Sequence, residues 1–116
     1  MILVVDDDPS VRVSTSRLLT AHGHTVVEAE NAALALQRAV EVRPDVILMD
    51  LHMPDRNGVE AARQIKQHAQ LGGTPIVAIT ATPADWLPEP DLFITVLHKP
   101  YPSSQLLAVL TGCRPR

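Results

Sequence analysis

Short runs of apolar residues alternate along the chain with longer stretches in which apolar positions recur every three or four residues. Met1–Val5, Val46–Met49, Pro75–Ile79 and Phe93–Leu97 are the runs, and Thr25–Ala29 is a shorter one. A near-continuous apolar run reads as a strand buried on both faces, the kind found in parallel sheets covered by helices. Between the runs, Pro9 suits the first position of a helix capped by Asp8, which continues to about Ala21 with Val11, Leu18 and Leu19 inward and Gly23 as its stop. Asn31 caps a second helix with Ala35, Leu36, Ala39 and Val40 on its apolar face, ended by Arg43-Pro44. A third runs from Val59 to about Ala69, with Ala62, Ile65 and Ala69 on one side, and a last one from about Ser103 to Leu110. Pro83, Pro88 and Pro90 leave little room for a regular helix between Thr82 and Asp91, so the fourth helix is expected to be short or irregular.

Strands alternating with helices imply an α/β fold in which parallel strands are joined by right-handed crossovers into one five-stranded, doubly wound sheet. With 116 residues and no linker or repeat, residues 1–116 form a single domain large enough for a proper core. Aromatics are few (Phe93, Trp86, Tyr101), so Val, Ile, Leu and Ala must build that core. A net charge of −3 without a basic patch argues against direct nucleic-acid binding. The apolar runs are too short to span a bilayer, and the first residues enter a strand with no signal-peptide pattern. A lone cysteine, Cys113, excludes an internal disulfide and fits the cytosol, although the domain could be tethered within a membrane-bound protein.

In a parallel sheet all carboxyl-terminal strand ends lie on one edge, where such sheets bind ligands. That edge gathers Asp6, Asp7 and Asp8 after the first strand, Asp50 after the third, Thr80 after the fourth and Lys99 after the fifth. Carboxylates a few Å apart repel by roughly 1 to 4 kcal/mol per pair at effective dielectrics of about 80 to 20. A hard divalent cation such as Mg²⁺ (or Mn²⁺), which prefers carboxylates, waters and phosphate oxygens, offsets that repulsion. Lys99 adds a cation and Thr80 a hydroxyl. Such a site suits phosphoryl transfer, with a carboxylate as nucleophile because no Ser/His or Cys/His pair is evident.

Leu3-Val4-Val5-Asp6-Asp7, Asp50-Leu51-His52-Met53-Pro54 with Gly58, Ile79-Thr80-Ala81 and Lys99-Pro100 together resemble the receiver domain of two-component response regulators. Each motif alone is weak; all of them in order on successive strand ends are specific, and the resemblance runs from residue 2 to about residue 110. It implies a flavodoxin-like sheet of order 2-1-3-4-5, a feature the pattern alone does not give. It also implies that Asp50 is the phosphoacceptor and that Asp7 ligates the metal directly, with Asp6 acting through a metal-bound water. The main-chain carbonyl of His52 would be a further ligand. Thr80 and Lys99 would bind the phosphoryl group beside the small Ala81, and Lys99-Pro100 would be a cis peptide. Among the three aspartates, Asp6 and Asp7 are preferred for metal, with Asp8 left as helix cap.

Such a domain is a regulatory phosphoprotein and not an enzyme in its own right. A sensor histidine kinase or phosphotransfer protein would be its phosphoryl donor; homodimerisation, cognate kinase, output and phosphoryl lifetime are not legible. Two departures stand out. Thr80 and Lys99 are separated by 18 residues (81 to 98), a few short of the family's spacing. Val96 occupies the position three before Lys99 where the family usually has an aromatic. Together they motivate an alternative, an interaction module independent of phosphorylation with an atypical face around the fourth helix and fifth strand. A small carboxylate-nucleophile phosphatase or a nucleotide-binding protein is a third reading; the absence of a Gly-rich loop after the first strand opposes the nucleotide version. His22, His24 and His68 read as surface residues. Trp86 either fills the space beside a short fourth helix or marks a partner surface.

Overall fold

The computed structural model of the chain describes residues 1–51, 58–81, 90–99 and 101–112. Five strands, β1 (Ile2–Val5), β2 (Val26–Ala29), β3 (Val46–Asp50), β4 (Ile76–Thr80) and β5 (Thr95–His98), form one sheet of order β2-β1-β3-β4-β5. Every neighbouring pair is parallel. The described helices are α1 (Pro9–Ala21), α2 (Ala32–Val42), α3 (Gly58–Gln67) and α4 (Ser103–Gly112), with a single 3₁₀ turn at Pro90–Leu92. Of the segment expected to hold a short or irregular fourth helix, that turn is described; residues 82–89, with Trp86, lie outside the described residues.

Alternation along the strands explains the layering. Successive side chains of a strand point to opposite faces. Leu3, Val5, Ile47, Met49, Ile76 and Ala78 therefore meet one layer, built from α2 and α3 through Ala35, Ala39, Ala62 and Ile65. Ile2, Val4, Val46, Leu48, Val77, Ile79 and Leu97 meet the other, built from α1 and α4 through Leu19, Leu106 and Leu110. Each fully buried Leu, Ile or Val adds about 1.5–3 kcal/mol of hydrophobic stabilisation. Small alanines on α2 let that helix lie close to the sheet.

The caps follow the local chemistry. Asp8 accepts from the amides of Ser10 and Val11 with Pro9 in the first turn, and Asn31 accepts from the Leu34 amide. Gly23 takes φ +89° after α1, where a side chain would be strained. Three expectations are corrected. Ala69 is exposed and lies beyond α3, which ends at Gln67. Leu71 instead fills the core position, within a turn closed by His68 N–H to the Ile65 carbonyl and Thr74 N–H to the Leu71 carbonyl. Lys66 reinforces that turn by donating to the Thr74 carbonyl at 2.6 Å. Phe93 and Ile94 precede β5 instead of opening it: Phe93 packs into the core from the loop, while Ile94 is 56% exposed. Val11 is half-buried, and Ser16 joins Leu19 as the buried pair of α1.

Candidate functional site

The strand ends converge as their parity dictates. Asp6 continues the alternation of Ile2 and Val4, Asp50 that of Val46 and Leu48, and Lys99 that of Leu97, all belonging to the α1/α4 face. Register aligns the ends: Val5 pairs with Met49, Asp50 with Ile79 and Thr80 with His98. The Lys99 amide donates to the Thr80 carbonyl at 2.8 Å, extending the ladder one residue past β5. Lys99 Nζ then stands 3.7 Å from Asp6 Oδ2 and 3.8 Å from Asp50 Oδ2.

Asp6 and Asp50 are only 4% and 3% exposed, and Thr80 2%. Buried carboxylates demand partners. Asp6 is held on three sides: Oδ1 accepts from the Asp8 amide at 2.9 Å, Oδ2 faces Lys99, and the main-chain carbonyl accepts from Arg12 Nη1 at 2.8 Å. Asp7, by contrast, is exposed. Asp6, Asp7 and Asp50 each offer a carboxylate oxygen, all within 4.8 Å of one another. Three hard oxygen donors, two buried and one open to solvent, match an oxygen-seeking divalent cation that keeps some of its water. Asp8 is exposed and its carboxylate caps α1, while Asp6 and Asp7 are the two of the three aspartates that group with Asp50.

Residues 52–57, with the His52 carbonyl, and Pro100 with its peptide bond lie outside the described residues. Ala81, beside Thr80, is exposed at the mouth of the site. Val96 is half-buried and packs against the α2/α3 core. His22 is exposed, while His24 and His68 are half-exposed turn residues.

Two residues that pattern reading passed over belong to this neighbourhood. Arg12, one turn into α1, reaches back to Asp6. Tyr101, just past Lys99, packs on the α1/α4 core and hydrogen-bonds Thr15. Burial pushes the Tyr101 phenol above its ordinary value of 10.0, and the negative charges of Asp6 and Asp50 push the same way, against the opposing Thr15 bond. The phenolate absorbance of this single tyrosine should therefore titrate above 10.0, and Asp50→Asn should lower its midpoint. A midpoint at or below 10.0 that ignores Asp50→Asn would contradict this placement. The unfolded chain loses the proton first, so this contribution to stability is present below pH 10.0 and disappears as pH rises from there through the folded-state value.

The chain matches the response regulator receiver domain family over residues 2–111. It is 39% identical over 79 residues to Protein PilH of Pseudomonas aeruginosa, covering 68% of this chain and 65% of that one. It is 42% identical over 88 residues to the transcriptional regulatory protein YdfI of Bacillus subtilis, covering 74% and 40% respectively. The matched part thus spans less than two thirds of the length of these curated relatives. Among solved structures, the chemotaxis protein CheY4 of Vibrio cholerae superposes with a TM-score of 0.90 at 31% identity, covering 97% of this chain and 96% of that one. No helix among the described residues is long and apolar enough to cross a membrane. With a family match across nearly its whole length and the fold to go with it, the chain belongs to the receiver domains of response regulators.

Proposed function

We infer that the chain is a phosphorylation-controlled switch whose phosphoacceptor is Asp50. The observation that carries this reading is the convergence of Lys99 on the buried Asp6 and Asp50 beside the exposed Asp7. A lone buried acid would find a cap or a single cation sufficient; a lysine shared between two acids, with a third open to solvent, is a site built to receive further charge. Asp6, Asp7 and Asp50 would hold Mg²⁺ or Mn²⁺, with the His52 carbonyl as an additional ligand. The bound cation would neutralise phosphoryl oxygens as negative charge accumulates on them.

In the reaction an Asp50 carboxylate oxygen attacks phosphorus while the bond from phosphorus to the donor's leaving atom breaks. The bonding pair stays with that leaving group, an imidazole nitrogen when the donor is a phosphohistidine. Lys99 takes a phosphoryl oxygen as an ion pair, and the Thr80 hydroxyl donates to another. Asp6, already held by Asp8, Lys99 and Arg12, orients a water instead of contacting phosphorus. The product is a mixed anhydride carrying added negative charge at a buried position, and drawing Thr80 and Lys99 toward it biases a two-state surface. The donor would be a sensor histidine kinase or phosphotransfer protein, acting in the cytoplasm.

Acetyl phosphate supplies the same chemistry without a kinase. With Mg²⁺ it should raise the intact mass of the chain by one phosphoryl group, and chelation with EDTA should prevent the gain. A chain that stays at its unmodified mass in the presence of Mg²⁺ would sink the reading.

A further inference from the structure

Arg12 bridges two structural units that the phosphorylation reading leaves unconnected. Its Nε donates to Glu28 Oε1 at 3.0 Å on β2, and its Nη1 donates to the Asp6 main-chain carbonyl at 2.8 Å. Its own amide donates to the Asp8 carbonyl at 2.9 Å, and its carbonyl accepts from Ser16 Oγ at 2.9 Å. The Arg12 side chain as a whole is only 15% exposed, less than expected of an arginine extended into solvent from a helix. One rigid fork is thus anchored on an acid of the sheet and aimed at the loop that carries Asp6 and Asp7.

The carbonyl it holds belongs to the Asp6–Asp7 peptide. Because a peptide unit is planar, fixing that oxygen fixes the direction in which the chain enters Asp7. Asp7 itself is exposed, so burial does little to orient it. We propose that Arg12, oriented by Glu28, is the positioning residue that presets the Asp6–Asp7 pair for its divalent cation. This rests on the reading of Asp6, Asp7 and Asp50 as a metal site.

Arg12 touches neither the metal position nor a phosphoryl group; it acts through the backbone. A plain strap between α1 and β2 would use the same bonds, and the sign of one measurement separates the two. Removing a cation beside a cation site should by charge alone tighten metal binding. Losing a preset loop should weaken it.

The test is a Mg²⁺ titration of the full chain, followed by calorimetry and by the amide resonances of Asp7 and Asp8. Arg12→Met should weaken Mg²⁺ by about tenfold, as loss of an outer partner does at metal sites. Arg12→Lys, able to reach one partner at a time, should fall between, and Glu28→Gln should weaken Mg²⁺ less than Arg12→Met. Arg12→Met binding Mg²⁺ as tightly as wild type, or more tightly, overturns the proposal. Should that variant not fold, unchanged affinity in both Arg12→Lys and Glu28→Gln overturns it equally. A wild-type chain that takes up no Mg²⁺, or takes it up undiminished in Asp7→Asn, removes the underlying metal reading and the proposal with it.

Discussion

Asp50→Asn is expected to abolish phosphoryl uptake and, in metal-free buffer, to make the domain more stable than wild type. The two effects share one cause. In the metal-free protein Asp50 sits within 4.8 Å of acceptor oxygens on Asp6 and Asp7, while Lys99 is shared between Asp6 and Asp50 at 3.7 and 3.8 Å. Removing the Asp50 charge deletes its repulsions with Asp6 and Asp7 as well as its attraction to Lys99, each roughly 1 to 4 kcal/mol at effective dielectrics of about 80 to 20. It also removes a carboxylate that is 3% exposed and costly to desolvate. The net gain should be about 1 kcal/mol, readable as a higher urea midpoint in EDTA. Adding Mg²⁺ should reverse the order, because a ligand present at about 100 times its Kd stabilises the form that binds it by about 2.7 kcal/mol. The Asn variant, with a carboxylate fewer, should respond less. An Asn variant less stable than wild type in EDTA would mean that the acids are not in conflict, and phosphoryl uptake that survived would remove Asp50 from its role. Function held against stability in this way is common at sites that must bind a cation on demand.

How far such a site can be read in advance depends on whether its residues are fixed by the strands or by distant side chains. Asp6, Asp50 and Lys99 were legible because period-two alternation and parallel register place them, and those are properties of Val4, Leu48 and Leu97 as much as of the site itself. The strand order was legible only through family resemblance; alternation of strands and helices fits other windings equally well. Arg12 and Tyr101 were not legible. An arginine on a helix reads as a solvated head until Glu28, from a different element, is known to face it at 3.0 Å. Ala69 and Ile94 failed for a related reason. Apolar residues continue the pattern past the point where the backbone turns away: Lys66 closes the end of α3 at Thr74, and the Ile94 amide donates to the Ile76 carbonyl at 2.9 Å before β5 begins. Hydrophobicity records that a residue can be buried; hydrogen bonding decides where the element stops.

Gly58→Ala should destabilise the domain by about 3 kcal/mol, the upper end of ordinary overpacking costs. Conformational freedom is not the reason, since Gly23 is the one glycine with positive φ among the described residues. Close approach is. A Cβ on Gly58 would lie 2.4 Å from the Asp50 carbonyl oxygen, 2.8 Å from Leu51 Cα and 3.0 Å from Leu51 Cδ2. Two of those neighbours are backbone, so no rotamer change relieves the overlap. The Gly58 amide also donates to the Leu51 carbonyl at 3.2 Å, which ties the first residue of α3 to the end of β3. Relief requires α3 to move away from the strand, yet Val59, Ala61, Ala62 and Ile65 bind that helix into the core. The alternative is to displace the Asp50–Leu51 peptide, which carries the displacement into the site. Urea unfolding should show the loss, and the folded fraction should take up phosphate from acetyl phosphate more slowly than wild type. Gly73→Ala, where an added Cβ meets nothing within 4 Å, is the control and should stay within about 0.5 kcal/mol of wild type. A Gly58→Ala domain as stable as that control would show that β3 and α3 do not press together at this point, and that glycine is required there for some other reason.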